Sequence, residues 1–395
     1  MEGKSARERL IAIQRRLVDE TKTEIYESLG SPGAELQCYY EEYQRVFQSS
    51  HSPAPREELI AEVTAADIVH FGDYHTLRES QKAPLRILRR VLAEGRRVVI
   101  ATEVVHLPHQ ATLDAFLAGD IAEEEFLRHI GYEENWGFSW RNYRLHFDFA
   151  REQGIPMVAV NSDPAVLKDS LSFRDSIAAM RIVEALSEFP GALIAVIFGD
   201  LHMAPSHIPG RVNELLAHRK VPPRTQVVVY QNSEKIYWDL ALAAIEQKTD
   251  VVRLEERKYC LINSTPLVKF QSYLNWEMNQ EELEESVGLE VEPDISSNVM
   301  TEQVMQLVIA ICRFLELPVE GLDDFTVHTS RDLDFLDKLE ASGRFTAAEI
   351  EEIRQQVERD ESYYITRERI LYLGNLSMDH AAEEGVARAR ALPWV

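Results

Sequence analysis

Five short runs limit what this chain can become: Asp67–Phe71, Arg97–Thr102, Pro156–Asn161, Leu193–Phe198 and Thr225–Tyr230. Each is rich in β-branched residues and apolar throughout, where a strand with one wet face would alternate. Strands of that kind are covered on both sides. The stretches between them carry helical periodicity. Ala83–Glu94 closes at Gly95, and Pro209–Lys220 opens with proline in its first turn. Strand, helix, strand at these spacings predicts a mainly parallel sheet in a three-layer α/β/α fold.

Two of the runs finish alike, in Phe71-Gly72-Asp73-Tyr74-His75 and in Phe198-Gly199-Asp200-Leu201-His202. Ligands of an open parallel sheet gather at the carboxyl ends of its strands. The other runs bring Thr102-Glu103, Asn161-Ser162-Asp163 and Tyr230-Gln231-Asn232 to that edge. Two imidazoles and a carboxylate are the inventory of a metal site with open positions, with His75, Glu103 and His202 as ligands. The same three residues equally make an acid–base set, Glu103 polarising or deprotonating while a histidine shuttles protons. Gly72 and Gly199 let the chain turn sharply and bring amides near a ligand. Asp73 and Asp200 are placed to orient the imidazoles or to touch the ligand themselves. His207 lies in a loop stiffened by Pro205 and Pro209, and Asn161 ends the third run. Both join the candidate ligand-binding set with Gly72, Asp73, Tyr143 and Gly199.

About 50 residues separate the second run from the third, too many for a plain crossover. Helical periodicity at Gln110–Ala118, Ala122–Ile130 and Trp140–Gln153 predicts a cap over the sheet edge, about residues 104–155. Its Trp136, Phe138, Trp140 and Tyr143 serve either as cap core or as a platform for a bound group.

The α/β part spans 56–265. Before it, residues 1–55 read as an arm of two helices, one within 5–30 and one at Leu36–Phe47, with a Ser/Pro linker at 49–55. After it come a helix at Leu240–Gln247, short strands at Asp250–Leu254 and Lys258–Asn263, and an acidic connector over 266–295. Residues 296–395 read as an all-α domain with helices at Thr301–Leu315, Asp332–Glu340, Ala347–Arg359 and Thr366–Leu392. The third opens with a Thr346–Glu349 capping box. In the last, His380 with Glu383 and Glu384 resembles half of a carboxylate-bridged metal site, or a simple helix ion pair.

Charge narrows the partners. A net charge of −24, from 66 acidic and 42 basic residues, repels a phosphate backbone and an anionic membrane surface. Small molecules or a peptide remain as ligands, and the arm and C-terminal domain as surfaces for a homodimer or a protein partner. Cys38, Cys260 and Cys312 form neither a disulfide framework nor a zinc pair, which predicts reduced thiols. No signal-peptide core and no run of membrane-spanning length is seen, so the expected location is cytoplasmic with no transmembrane segment.

At these residues the chain resembles the ChaN-like haem-binding uptake proteins of the Tiki superfamily, which also takes in TraB-type proteins and, more distantly, erythromycin-esterase-like enzymes. The likeness covers roughly 60–235. It runs through Gly72–His75, Glu103 with the helix ending Leu117-Ala118-Gly119, Trp140–Tyr143, Phe149–Pro156, Asn161, Gly199–His202 and His207-Ile208-Pro209. The resemblance implies a three-layer α/β/α fold with its site at His75, Glu103 and His202. It implies haem or a divalent transition metal as the bound group and, as the alternative function, a metal-dependent hydrolase or peptidase of the Tiki/TraB type using the same residues. This chain departs from the family pattern in Thr76 after His75 and in Ser80-Gln81, where family members carry further histidines. The ChaN branch implies haem binding and iron uptake; no secretion signal or lipid-anchor cysteine like those of ChaN lipoproteins is seen here, so uptake at the outer membrane is not expected.

Overall fold

The computed structural model describes residues 6–30, 33–163, 170–246, 248–286, 326–329, 335–358, 363–365 and 370–373. The chain divides into two compact units, Met1–Tyr273 and Leu274–Val395.

The first unit opens with helices α1 (Ala6–Leu29) and α2 (Ala34–Val46). A two-residue strand, β1 (Ser52–Pro53), and helix α3 (Arg56–Ala65) follow, so the expected linker is partly an edge strand. Then come β2 (Ile68–Asp73), α4 (Arg78–Ala93) and β3 (Val98–His106). The cap holds α5 (Gln110–Ala118), α6 (Glu123–Ile130), α7 (Tyr132–Asn135) and α8 (Trp140–Gln153). The rest of the unit is β4 (Met157–Asn161), α9 (Leu171–Glu188), β5 (Leu193–Gly199), α10 (Ile208–His218), β6 (Gln226–Gln231), α11 (Glu234–Leu242), β7 (Val251–Glu255) and β8 (Lys258–Leu261). Helix α12 (Pro266–Ser286) follows.

The strands form one sheet in the order β1-β7-β8-β6-β2-β5-β3-β4. From β8 to β4 all neighbours are parallel, while β7 and β1 are antiparallel additions at the other edge. The expected α/β class is borne out. Burial explains the apolar runs. Every residue of β2, β3, β4 and β5 is buried, and successive side chains alternate between two cores. Val69, Phe71, Ala195 and Ile197 pack toward the cap, while Ile68, Ile194, Val196 and Phe198 pack toward the opposite helices. That second core takes in Val18, Tyr43 and Phe47 from α1 and α2.

Several local expectations change. The helix expected at Leu240–Gln247 lies earlier, as α11, because Ser233 to Leu242 follows directly on β6 with Ile236, Trp238 and Leu240 buried. The acidic connector is helical as far as Ser286. In the second unit the described residues hold β9 (Thr326–Thr329), α13 (Phe335–Ala341), α14 (Ala347–Glu358), β10 (Tyr363–Ile365) and β11 (Ile370–Leu373). The strands pair in the order β10-β11-β9, so the all-α expectation is corrected there: Ile370–Leu373, read as helix, is a strand whose Leu371 and Tyr372 are buried. The capping box forms as expected, with the Thr346 amide donating to Glu349 at 2.8 Å and the Glu349 amide to Thr346 Oγ1 at 3.3 Å. Thr301–Leu315, Cys312, His380, Glu383 and Glu384 lie outside the described residues.

Candidate functional site

The twin pentapeptides end adjacent strands. β2 pairs with β5 so that Gly72 stands opposite Phe198 and Asp73 opposite Gly199. β3 flanks β5 on its other side, and their pairing stops at Thr102–Ile197. Between Thr102 and His106 the register of β3 against β4 shifts, a local irregularity of the kind that re-aims side chains. It turns Glu103 across to β5, where Oε2 accepts the Gly199 amide at 2.6 Å.

Gly199 is the centre of the arrangement. A Cβ built there would lie 3.4 Å from Cε1 and Nε2 of His75 and 3.4 Å from Cδ2 of His202. Both rings therefore flank one strand end, with Glu103 bonded to the amide between them. Gly72 has another reason to be glycine: a Cβ would press on the Asp200 Cβ and Cα at 3.2 and 3.3 Å.

Each imidazole is held through Nδ1 by a buried carboxylate. His75 Nδ1 lies 2.9 Å from Asp73 Oδ2. That carboxylate also accepts the Tyr143 hydroxyl at 2.9 Å and the Gln81 amide, and the Tyr143 hydroxyl lies 3.0 Å from the same ring nitrogen. Gln81 thus stabilises the aspartate. His202 Nδ1 lies 2.5 Å from Asp175 Oδ1. Asp175 sits on α9, is fully buried, and accepts the Tyr39 hydroxyl on Oδ2 at 2.7 Å. With Nδ1 engaged, Nε2 is the nitrogen each ring has left for another partner.

Charge follows this geometry. Burial works against a charged His75, but Asp73 beside it, with Glu103 and Asp200 beyond, outweighs burial and pushes its pKa up to about 9. Burial raises the Glu103 carboxyl, while His75, His202 and the Gly199 amide pull it back in part. Tyr143 is raised by burial and by Asp73, so it stays a hydroxyl donor.

The two histidines line a cavity of about 200 Å³ with Asp73, Tyr74, Phe138, Gly199, Asp200 and Tyr273. Aromatic cap residues close on His75, whose ring centroid is 4.8 Å from Trp136 and 4.7 Å from Phe138.

Other expected site residues fall elsewhere. Asn161, at the end of edge strand β4, bonds the following Ser162 amide and does not line the cavity. His207 stacks on Tyr39, bonds the Leu201 carbonyl and pairs with Glu42. Gly72 offers its carbonyl to Gln231. Asp200 does line the cavity and pairs with Lys269 of α12 at 3.4 Å; of the two roles its place in the motif offered, orienting His202 is not the one it takes. His106 and His109, which follow Glu103 closely enough in sequence to be considered as low-ranking ligands, do not join the site: His106 contacts the Ser162 carbonyl, and His109 stays outside the cavity lining. Asp175, Tyr39, Lys269 and Tyr273 were missed. They come from helices far away in sequence, and no motif marks them. Among the described residues no group of three or more His, Cys, Asp or Glu side chains is arranged to hold a metal ion. None of their helices is long and apolar enough to cross a membrane.

The fold and the site together define an α/β domain with paired, carboxylate-anchored histidines at the carboxyl edge of its sheet. Residues 59–172 match the model of the family described as haem-binding uptake, Tiki superfamily, ChaN. ChaN of Campylobacter jejuni, solved with cofacially bound heme, is 13% identical over 46% of this chain and 87% of its own, with a TM-score of 0.34. The type III effector HopBA1 is 12% identical over 55% and 99% (TM-score 0.35). RRSP, a MARTX toxin effector domain from Vibrio vulnificus, is 19% identical over 50% and 40% (TM-score 0.30). At these scores the likeness carries no functional argument. No curated protein matches the chain.

Proposed function

We propose that the cleft is a hydrolytic acid–base site for a small substrate or a small part of a larger one. The observation that carries this reading is the pair of imidazoles, each with Nδ1 engaged by a buried carboxylate, set on either side of Gly199 and Glu103. His202 acts as the base. Asp175 holds its Nδ1–H, so Nε2 takes a proton from water as the water attacks an acyl carbon, and Asp175 stabilises the imidazolium that forms. His75, held as a cation at neutral pH by Asp73, donates from Nε2 to the developing oxyanion or to the leaving group. Glu103 steadies the Gly199 turn between the two rings and balances the positive charge that accumulates there.

A second reading, haem binding, is favoured by the family match over 59–172. An imidazole suits haem iron as an axial ligand. The cleft is partly open and about 200 Å³ in volume, below the roughly 300–1,000 Å³ that drug-sized ligands occupy, so a porphyrin would lie partly outside it. No step is therefore derived through haem. His75, Glu103 and His202 also do not stand as a metal-holding group, so the hydrolytic reading uses the side chains alone.

The two readings separate in one experiment. The purified chain is assayed against short-chain p-nitrophenyl esters and a matching anilide, with and without EDTA, and is titrated with hemin. Saturable hydrolysis that survives EDTA and falls about 10²–10⁴-fold in His202→Ala is expected. Wild-type turnover no faster than that of His202→Ala on every probe would overturn the proposal. A saturable Soret band lost in His75→Ala would then put the haem reading in its place. Activity lost in EDTA and restored by zinc or manganese would replace it with a metal-dependent one.

A further inference from the structure

The family match begins at residue 59, yet the site's second layer is built partly by α2, well before it. Three polar residues of that helix, Glu35, Tyr39 and Glu42, fall at i, i+4 and i+7, which places them on one face. That face points at the elements around His202. Glu35 accepts the Leu171 and Ser172 amides at 3.3 and 3.1 Å, filling the open donors at the start of α9. Leu171 lines the cavity, and Asp175 lies one turn further along α9. Tyr39, 6% exposed, donates to Asp175 Oδ2 while Oδ1 faces His202. Its ring stacks on His207 with centroids 3.8 Å apart and meets His202 edge-on at 5.6 Å. Glu42 takes the Ser206 hydroxyl and pairs with His207 at 3.0 Å, pinning the loop that leaves the second motif.

We propose that α2 is a working part of the site, and that Tyr39 acts through Asp175 as a positioning residue for His202. Asp175 has two oxygens and one imidazole to orient. Unless its second oxygen is fixed, the carboxylate turns about its own bond and carries the His202 ring with it. The phenol fixes it. Burial and the neighbouring aspartate both raise the Tyr39 phenol well above its ordinary range, so it remains a donor at any pH at which the protein works. Arg211, 3.9 Å from the same oxygen, is too long to substitute as a hydrogen-bond donor.

This inference rests on the hydrolytic reading for its activity arm, and its spectroscopic arm does not. In the full chain labelled with ¹⁵N-histidine, the His202 Nδ1–H proton, bonded to Asp175, is expected to give a downfield resonance. In Tyr39→Phe, which keeps the stack on His207, that resonance is expected to shift and to exchange faster with water. On the ester probe, kcat is expected to fall about tenfold with KM nearly unchanged, while Glu41→Gln, on the exposed side of α2, changes neither. Glu35→Gln is the second variant, with a smaller change in the same direction. An unchanged His202 resonance in a folded Tyr39→Phe protein overturns the proposal whether or not the ester is a substrate. If the wild type hydrolyses no probe but the resonance responds, the positioning role stands and the hydrolytic reading fails.

Discussion

The two histidines come from the same pentapeptide and are anchored in different ways. His75 takes its carboxylate from within its own motif, Asp73, two residues back. The equivalent residue of the second motif, Asp200, turns to Lys269, and His202 is held instead by Asp175, 27 residues away on α9. Backbone geometry explains the difference. β2 continues through Asp73, whereas β5 ends at Gly199 and Asp200–Met203 wind into a 3₁₀ turn, which swings Asp200 off the strand direction. A repeated motif thus fixes where two imidazoles stand and leaves open what holds them.

The sharpest way to break this comparison is to exchange the two aspartates' roles by mutation. Asp175→Asn is expected to lower kcat on an ester probe about 10²–10⁴-fold, because the amide favours the wrong tautomer of His202. Asp200→Asn is expected to cost far less of kcat. A larger loss in Asp200→Asn than in Asp175→Asn, measured by steady-state kinetics, would mean that the motif and not α9 orients His202.

Lys269 supplies the next largest effect. It is 6% exposed beside a nearly buried Asp200, and removing one partner of a buried pair leaves the other charge uncompensated, at about 3–5 kcal/mol. Lys269→Met is therefore expected to lower the urea midpoint strongly, and Lys269→Met/Asp200→Asn to recover much of the loss. A double variant no more stable than the single would argue against the pair.

The glycines separate the motifs again. A methyl at Gly72 meets the backbone and Cβ of Asp200, so Gly72→Ala is expected to destabilise by about 1–3 kcal/mol. At Gly199 the methyl meets imidazole atoms, which give way more easily. Gly199→Ala is expected to keep its melting temperature and lose activity. Matching stability losses would show that the two turns are packed alike.

The smallest effect is in pH. His75 titrates near 9 in the fold against about 6.5 unfolded. The stability it contributes is full below about 6.5 and is lost as pH rises through about 9. Thermal melts from pH 6 to 9.5 should fall over that window, and Asp73→Asn should flatten the fall. A wild-type melting temperature constant over the window would remove the charged His75.

Much of the fold was legible because the strands are apolar on both faces, a pattern that depends on local sequence alone. The shared edge of His75, Glu103 and His202 followed from their places at strand ends. What stayed hidden was relational. Asp175 lies between the third and fourth runs and Glu35, Tyr39 and Glu42 lie on the arm, and nothing in the local pattern of either stretch says that elements 130 or more residues apart in sequence will meet. Ile370–Leu373 was misread for the opposite reason: its apolar residues fit a helical period and a strand equally well, and the sheet partner Thr326–Thr329 is distant.

The most direct test is the ratio of kcat for wild type and His202→Ala on one short-chain ester, in EDTA, at neutral pH. A ratio of about 10² or more, with both proteins melting alike, is the result expected of two anchored imidazoles working as acid and base. A ratio near one would contradict it.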